Sequence, residues 1–331
     1  MDIALHTLFL IVGFAFLIKG ADFFVVSSSS IARKFNVSPL IIGLTLVAFG
    51  TSLPELAVSF AASISAGQQG MTADIAMGNI IGSNISNLTL ILGFSAIMMP
   101  IAVRKTMNRK EFPFLIMTTF VIALLAFFFQ ADKMIVWWEA LILLVLFSFY
   151  MYLMLTTAKE INHVEELKIV DTKKAVILLL IGLAGIVAGG YLVTTGAEYI
   201  AIQFLTSTFN MAITKATTLV GLSIVALGTS LPELVTSVMA ARKGENEIAL
   251  GNIVGSNVFN TLLIVGLAGV VTPLGINNDV LFDMFLLIGI TSITIVFAMT
   301  KQTISKFEGW ILIIIYFSYI TYIILRALGL M

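Results

Sequence analysis

There is no cysteine among the 331 residues, which excludes disulfide bridges and thiolate metal sites and leaves the redox compartment unreadable. Charge is scarce as well: 11% of residues are Asp, Glu, Lys or Arg, and their signs cancel to a formal net charge of zero. A nucleic-acid partner, which needs a basic surface, is not expected. The two histidines, His6 and His163, lie far apart and read as surface residues without a ligand role. Neither a P-loop nor any other nucleotide motif is present, and no serine, histidine and acid set falls at membrane depth. The expectation is a protein that is not an enzyme and uses neither a nucleotide nor a cofactor.

Apolar residues make up 59% of the chain, more than a soluble domain could bury, so it reads as an all-α integral membrane protein. The first apolar run, Ile3 to Ile18, has no basic residue before it and no small-residue cleavage site after it. It reads as a retained helix. Crossing about 30 Å of hydrocarbon takes roughly 20 residues. On that measure polar clusters mark off ten spans, at 3–32, 38–66, 72–99, 112–130, 134–157, 173–203, 213–241, 246–271, 280–299 and 307–328. The expected organisation is a first five-helix repeat at 1–158, a polar linker at 159–174, and a second repeat at 175–331.

Lys and Arg near short loops stay on the cytoplasmic side. Fourteen of the 18 basic residues flank the loops after the odd-numbered spans, while Lys133, Lys215 and Arg326 lie on the other side and Lys19 inside the first span. Both termini should face outward, with the linker cytoplasmic, in the inner or plasma membrane.

The chain repeats itself. GLTLVAFGTSLPELAVS at 43–59 aligns without gaps on GLSIVALGTSLPELVTS at 221–237, with 12 of 17 positions identical. IAMGNIIGSNISN at 75–87 likewise matches IALGNIVGSNVFN at 248–260. Upstream, Gly20, Ala21 and Asp22 correspond to Gly196, Ala197 and Glu198. Five crossings is an odd number, so the two halves must be inserted in opposite orientations, related by a pseudo-twofold axis in the membrane plane. Inverted repeats with interrupted helices point to a secondary transporter with its site near the midplane.

Both blocks carry chemistry. Pro54 and Pro232 have no amide hydrogen and clash with the carbonyl four residues earlier, so the second and seventh helices should break there and free the carbonyls of Gly50 and Gly228. Exposed backbone of this kind is tolerated only in a protein-lined or polar cavity. Thr51 and Glu55 should share a helix face, as should Thr229 and Glu233. An ionised group at this depth costs about 2.5 to 3.5 kcal/mol and marks ion or proton handling. Two carboxylates held together in a low dielectric repel until a cation or a proton intervenes. Ser83 with Asn87, and Ser256 with Asn260, offer hydroxyl and amide oxygens, an all-oxygen set suited to sodium, calcium or magnesium. Asn79, Asn84, Asn252 and Asn257 read as partners of backbone groups, and Asp22 as a partner of Lys19 one turn back.

The paired GTSLPE and paired GSNxxN resemble those of the calcium/cation antiporter superfamily, in its prokaryotic sodium/calcium exchanger branch, and the likeness extends over essentially the whole chain. The resemblance implies that Glu55 and Glu233 are shared carboxylate ligands of calcium and sodium. It implies that Thr51 and Thr229 add oxygens, that Ala48 and Ala226 offer backbone carbonyls to flanking sodium sites, that Ser83 and Ser256 line sodium sites, and that Asn87 and Asn260 complete the centre. It also implies that the first and sixth helices slide against the rest to alternate access. One position departs from the pattern: well-studied members often carry aspartate where this chain has Asn260, so the centre holds two carboxylates. The function expected is calcium/sodium antiport by alternating access within the lipid bilayer. A calcium/proton antiporter on the same glutamates is the alternative, and a cation channel a more distant one.

Overall fold

The computed structural model describes residues 2–128, 133–157, 172–208, 211–220, 226–328 and 330. Most of the predicted linker lies outside the described residues. The described residues are predominantly helical, as hydrocarbon demands of a backbone that must satisfy its own polar groups. In order, the helices are α1 (Asp2–Lys34), α2 (Pro39–Thr51), α3 (Leu53–Gln68), α4 (Asp74–Met98), α5 (Phe112–Phe128) and α6 (Trp137–Thr157). They continue as α7 (Thr172–Thr208), α8 (Ile213–Val220), α9 (Ala226–Thr229), α10 (Leu231–Arg242), α11 (Asn246–Val271), α12 (Asn278–Lys301) and α13 (Lys306–Ala327). Seven of these are long and apolar enough to cross a membrane, or eight when α2 and α3 are taken as one span.

Local signals set the helix ends. The Ser38 side chain accepts from the Leu40 amide with Pro39 in the first turn, where a missing amide hydrogen costs nothing. Asn277 caps α12 through the Val280 amide at 2.9 Å, and Ser305 and Glu308 close a capping box at the start of α13. Two short antiparallel ladders tie loops together. Strand β1 (Ile101–Ala102) pairs with β4 (Thr303–Ile304), and β2 (Met134–Ile135) with β3 (Leu274–Gly275).

Two layers of burial organise the molecule. In the most apolar stretches of α4 and α11, 83% of residues are buried, against 33% in α1 and α7. The repeated blocks thus lie at the centre, and α1 and α7 form a pair at the edge. That pair is antiparallel: a side chain at Gly196 would meet His6, one at Gly189 would meet Gly13 and Leu17, and one at Gly182 would meet Gly20 and Phe24. Backbone approaches this close need glycine. At Gly20, an added Cβ would lie 2.8 Å from the Gly182 carbonyl oxygen. His6, read from sequence as a bare surface residue, stacks on Tyr199 with ring centroids 3.8 Å apart.

Ion pairs fasten α1 to the α10–α11 turn. Lys243 contacts Asp22 at 2.6 Å, Arg33 contacts Glu245 at 2.7 Å, and the Ser29 hydroxyl donates to Glu245 at 2.6 Å. The expected Asp22–Lys19 pairing is therefore corrected: Asp22 reaches across to another helix, because the α10–α11 turn brings Lys243 alongside it.

Candidate functional site

The two GTSLPE segments break where their prolines require. Chain direction changes by 48° between α2 and α3, and Ser52 at the joint has φ −81° and ψ 5°. Ser230, between α9 and α10, has φ −88° and ψ 2°. Each proline falls at the start of the following helix, the position that tolerates it. Thr51 therefore ends α2 while Glu55 lies in the first turn of α3, so the two do not share one continuous helix face. Helix α10 begins at Leu231 and holds Glu233 in its first turn, following Thr229 at the end of α9. Residues 221–225, upstream of the second break, lie outside the described residues.

A second irregularity sits on the other block. Within α4, residues Asn87–Ile91 form a π turn, and within α11 residues Phe259–Ile264 do the same. A π turn adds a residue and re-aims the side chains beside it, which is why such turns gather at functional sites. Here they fall on Asn87 and Asn260. The Asn87 turn packs against α10, which carries Glu233, and the Asn260 turn packs against α3, which carries Glu55. Each half thus completes its surroundings from the other.

Every predicted side-chain ligand is withdrawn from the surface: Glu55 is 1% exposed, Glu233 0% and Thr229 9%, with Thr51, Asn87, Asn260, Ser83 and Ser256 at 3% or less. The link between the breaks is reciprocal. The Ser52 hydroxyl donates to Glu233 Oε1 at 3.1 Å, and the Ser230 hydroxyl donates to Glu55 Oε1 at 3.3 Å. Ser230 also lies 3.4 Å from the Ser83 hydroxyl. The serines went unremarked in the sequence reading, although both occur inside the repeated hexapeptide at equivalent places.

Thr51 donates to Asn252 Oδ1 at 3.0 Å, and Asn252 in turn donates to the Ser237 hydroxyl at 2.9 Å. Asn79 donates to Ser59 at 3.0 Å and Asn84 to Thr261 at 2.9 Å. Only Asn257 has the backbone partner expected of all four, the Ile253 carbonyl at 2.7 Å. Side chains on neighbouring helices hold the other three, because buried hydroxyls there need donors and acceptors of their own.

The Ala48 carbonyl, expected to be free for an ion, accepts the Ser52 amide at 3.0 Å and lies 3.4 Å from the Thr51 hydroxyl. At the second break the Ser230 amide turns instead to Leu227, at 3.1 Å, and Ala226 begins α9.

Buried oxygens that no donor among the described residues reaches include Glu55 Oε2, Glu233 Oε2, Asn87 Oδ1, Asn260 Oδ1 and Ser256 Oγ, and Asn260 Nδ2 is likewise without a partner there. Leaving such atoms unsatisfied is costly, and a cation is one partner that carboxylate, amide and hydroxyl oxygens all accept. Two carboxylates with neutral amide and hydroxyl oxygens form a hard-cation set. It contains no third acid: no group of three or more His, Cys, Asp or Glu placed to hold a metal ion occurs among the described residues.

Apolar helices long enough to span a bilayer, packed around buried oxygens at paired breaks, define a multi-pass membrane protein. The sodium/calcium exchanger protein family profile matches residues 5–156 and 174–325, and the chain belongs to that family. Relatives include the sodium/calcium exchanger MaX1 of Methanosarcina acetivorans, 32% identical with 96% of this chain and 98% of that protein covered. The putative antiporter CaxA of Alkalimonas amylolytica is 40% identical over 81% of each chain, and the inner membrane protein YrbG of Escherichia coli 35% identical over 81% of each. Among solved structures, the sodium-calcium exchanger NCX_Mj soaked with sodium and strontium superposes with a TM-score of 0.80, at 29% identity, covering 96% of this chain and 98% of that one.

Proposed function

We propose that this chain is a secondary antiporter that exchanges calcium for sodium across the cytoplasmic membrane by alternating access. The ions compete for one set of oxygens around Glu55 and Glu233. The observation that carries this reading is the group of buried oxygens without donors, drawn from both halves of the chain at the helix breaks and π turns. The side-chain ligands are Glu55, Glu233, Thr51, Thr229, Asn87, Asn260, Ser83 and Ser256, with Ala48 and Ala226 contributing only their backbone carbonyls. The Ala48 carbonyl keeps a second lone pair for this role beside the bond it already accepts.

The architecture is ten crossings as two inverted five-helix repeats, with both termini outside. The antiparallel packing of α1 on α7 and the two antiparallel ladders, each joining one half to the other, support it. The mechanism follows from the electrostatics. Two buried carboxylates held near each other repel when no cation lies between them, so access to the site changes sides far more readily when it is loaded than when it is empty. Exchange is then obligatory: calcium can leave one side only as sodium takes its place. The serine hydroxyls of the opposite breaks fix one oxygen of each glutamate and leave Oε2 for the ion.

The test is uptake of radioactive calcium into vesicles containing the purified protein. An outward sodium gradient, with the pH gradient collapsed, should drive it. No sodium-driven uptake, together with uptake driven by a pH gradient, would replace this reading with calcium/proton antiport on the same glutamates. A steady calcium current that needs no counter-ion would identify a channel.

A further inference from the structure

A cavity of about 420 Å³ is lined both by Ser83 and Thr229, of the candidate site, and by Asp279, Asp283 and Arg326. The exchange reading uses Ser83 and Thr229 and leaves the charged part of the lining unexplained. Asp283 is a carboxylate on membrane-spanning α12, 7% exposed, and its Oδ1 accepts no hydrogen bond among the described residues. Its counter-charge is the Arg326 guanidinium, with Nη1 3.7 Å from Asp283 Oδ1 and Nε 3.6 Å from Asp279 Oδ2. Both separations exceed a hydrogen bond, so the guanidinium balances two carboxylates without satisfying either. Tyr322 holds it in place, its ring centre 5.3 Å from the guanidinium carbon.

Asp74 also lines the cavity. Three carboxylates against one guanidinium leave the passage negative, and its low-dielectric walls focus that potential on any cation inside. A potential acts on a divalent ion with twice the energy it exerts on a monovalent one. Each charge on the wall therefore changes calcium occupancy by the square of the factor by which it changes sodium occupancy. Arg326, a cation tethered where a mobile cation would otherwise sit, limits that preference.

We propose that Asp283 and Arg326 form a charge-balance pair that sets how strongly this cavity favours divalent over monovalent cations on their way to the exchange site. They are specificity residues outside the ion-binding set, and the inference rests on the antiport reading above. Ring-like arrangements of wall charges act in the same way in ion pathways generally.

The test measures half-saturating calcium and sodium concentrations from the cavity side, in vesicles of one orientation. Asp283→Asn should weaken calcium about tenfold, the effect of one charge on a divalent ion about 6 Å away through water, and sodium only about threefold, with maximal turnover kept. The double variant R326Q/D283N restores the wild-type charge and should return both values to within about twofold of wild type. Arg326→Lys should behave as wild type. An unchanged calcium-to-sodium ratio in Asp283→Asn, or a double variant as impaired as the single, would overturn the proposal and leave the pair a structural contact. Absence of sodium-driven calcium transport in the wild-type protein would instead sink the antiport reading itself.

Discussion

The two helix breaks carry the same six letters, yet the protein finishes them differently. At the first, the Ser52 amide closes a full turn onto Ala48, whereas at the second the Ser230 amide closes a tighter turn onto Leu227. Among the described residues the Ser52 hydroxyl bonds to Glu233, while the Ser230 hydroxyl reaches both Glu55 and Ser83. The turns that follow differ more. The segment after α10 carries Lys243 and Glu245, which hold α1 by ion pairs, and the matching segment after α3, Gln69 to Ala73, has no charge at all. The duplicated chain thus keeps matching chemistry at its centre and unequal fastenings at its edge.

The sharpest way to break this comparison is to remove one glutamate at a time. Glu55→Gln and Glu233→Gln should each abolish calcium transport in vesicles, with losses on the order of 3 kcal/mol in binding, about a hundredfold. A large loss in one and near-normal exchange in the other would mean that the breaks do not share a site. Next come the serines. Ser52→Ala and Ser230→Ala each remove a donor to a charged acceptor, about 1.5 to 3 kcal/mol, and calorimetric calcium binding should weaken more in Ser230→Ala, which loses two contacts.

Restoring a third carboxylate probes the π turns. Asn87→Asp and Asn260→Asp should each strengthen calcium binding severalfold and change the charge moved per cycle; an effect at only one of them would show that one turn faces away from the ion. Gly20→Ala should cost about 1 to 3 kcal/mol in thermal-unfolding stability by forcing α1 away from α7. The smallest effect belongs to the edge fastening. Glu245→Gln removes a half-buried ion pair and should change stability by no more than about 1 kcal/mol, while shifting the balance between the two faces, seen as unequal calcium affinity from the two sides of the membrane.

Helix positions were legible because hydrophobic length, basic loops and capping residues each encode them locally, as the prediction of 246–271 against the observed Asn246–Val271 shows. Both breaks were legible because proline acts on its own neighbours. Contacts between distant segments were not. Asp22 was assigned to the nearest lysine in sequence, and only folding brings it to Lys243. The reciprocal Ser52–Glu233 and Ser230–Glu55 bonds cross between the halves, and nothing in a hexapeptide says which carboxylate its serine will meet. The π turns at Asn87 and Asn260 leave no periodicity strong enough to read. Asp283 and Arg326 were separated by more than one span and became a pair only where α12 and α13 border the cavity.

The central claim is that Glu55 and Glu233 form one site for which calcium and sodium compete. It is tested most directly by calcium binding to the purified protein, measured by calorimetry across a sodium series at fixed pH. The account predicts that sodium lowers apparent calcium affinity competitively in the wild type, and that either single glutamine variant loses calcium binding. Calcium affinity independent of sodium, or tight binding that survives loss of one glutamate, would contradict it.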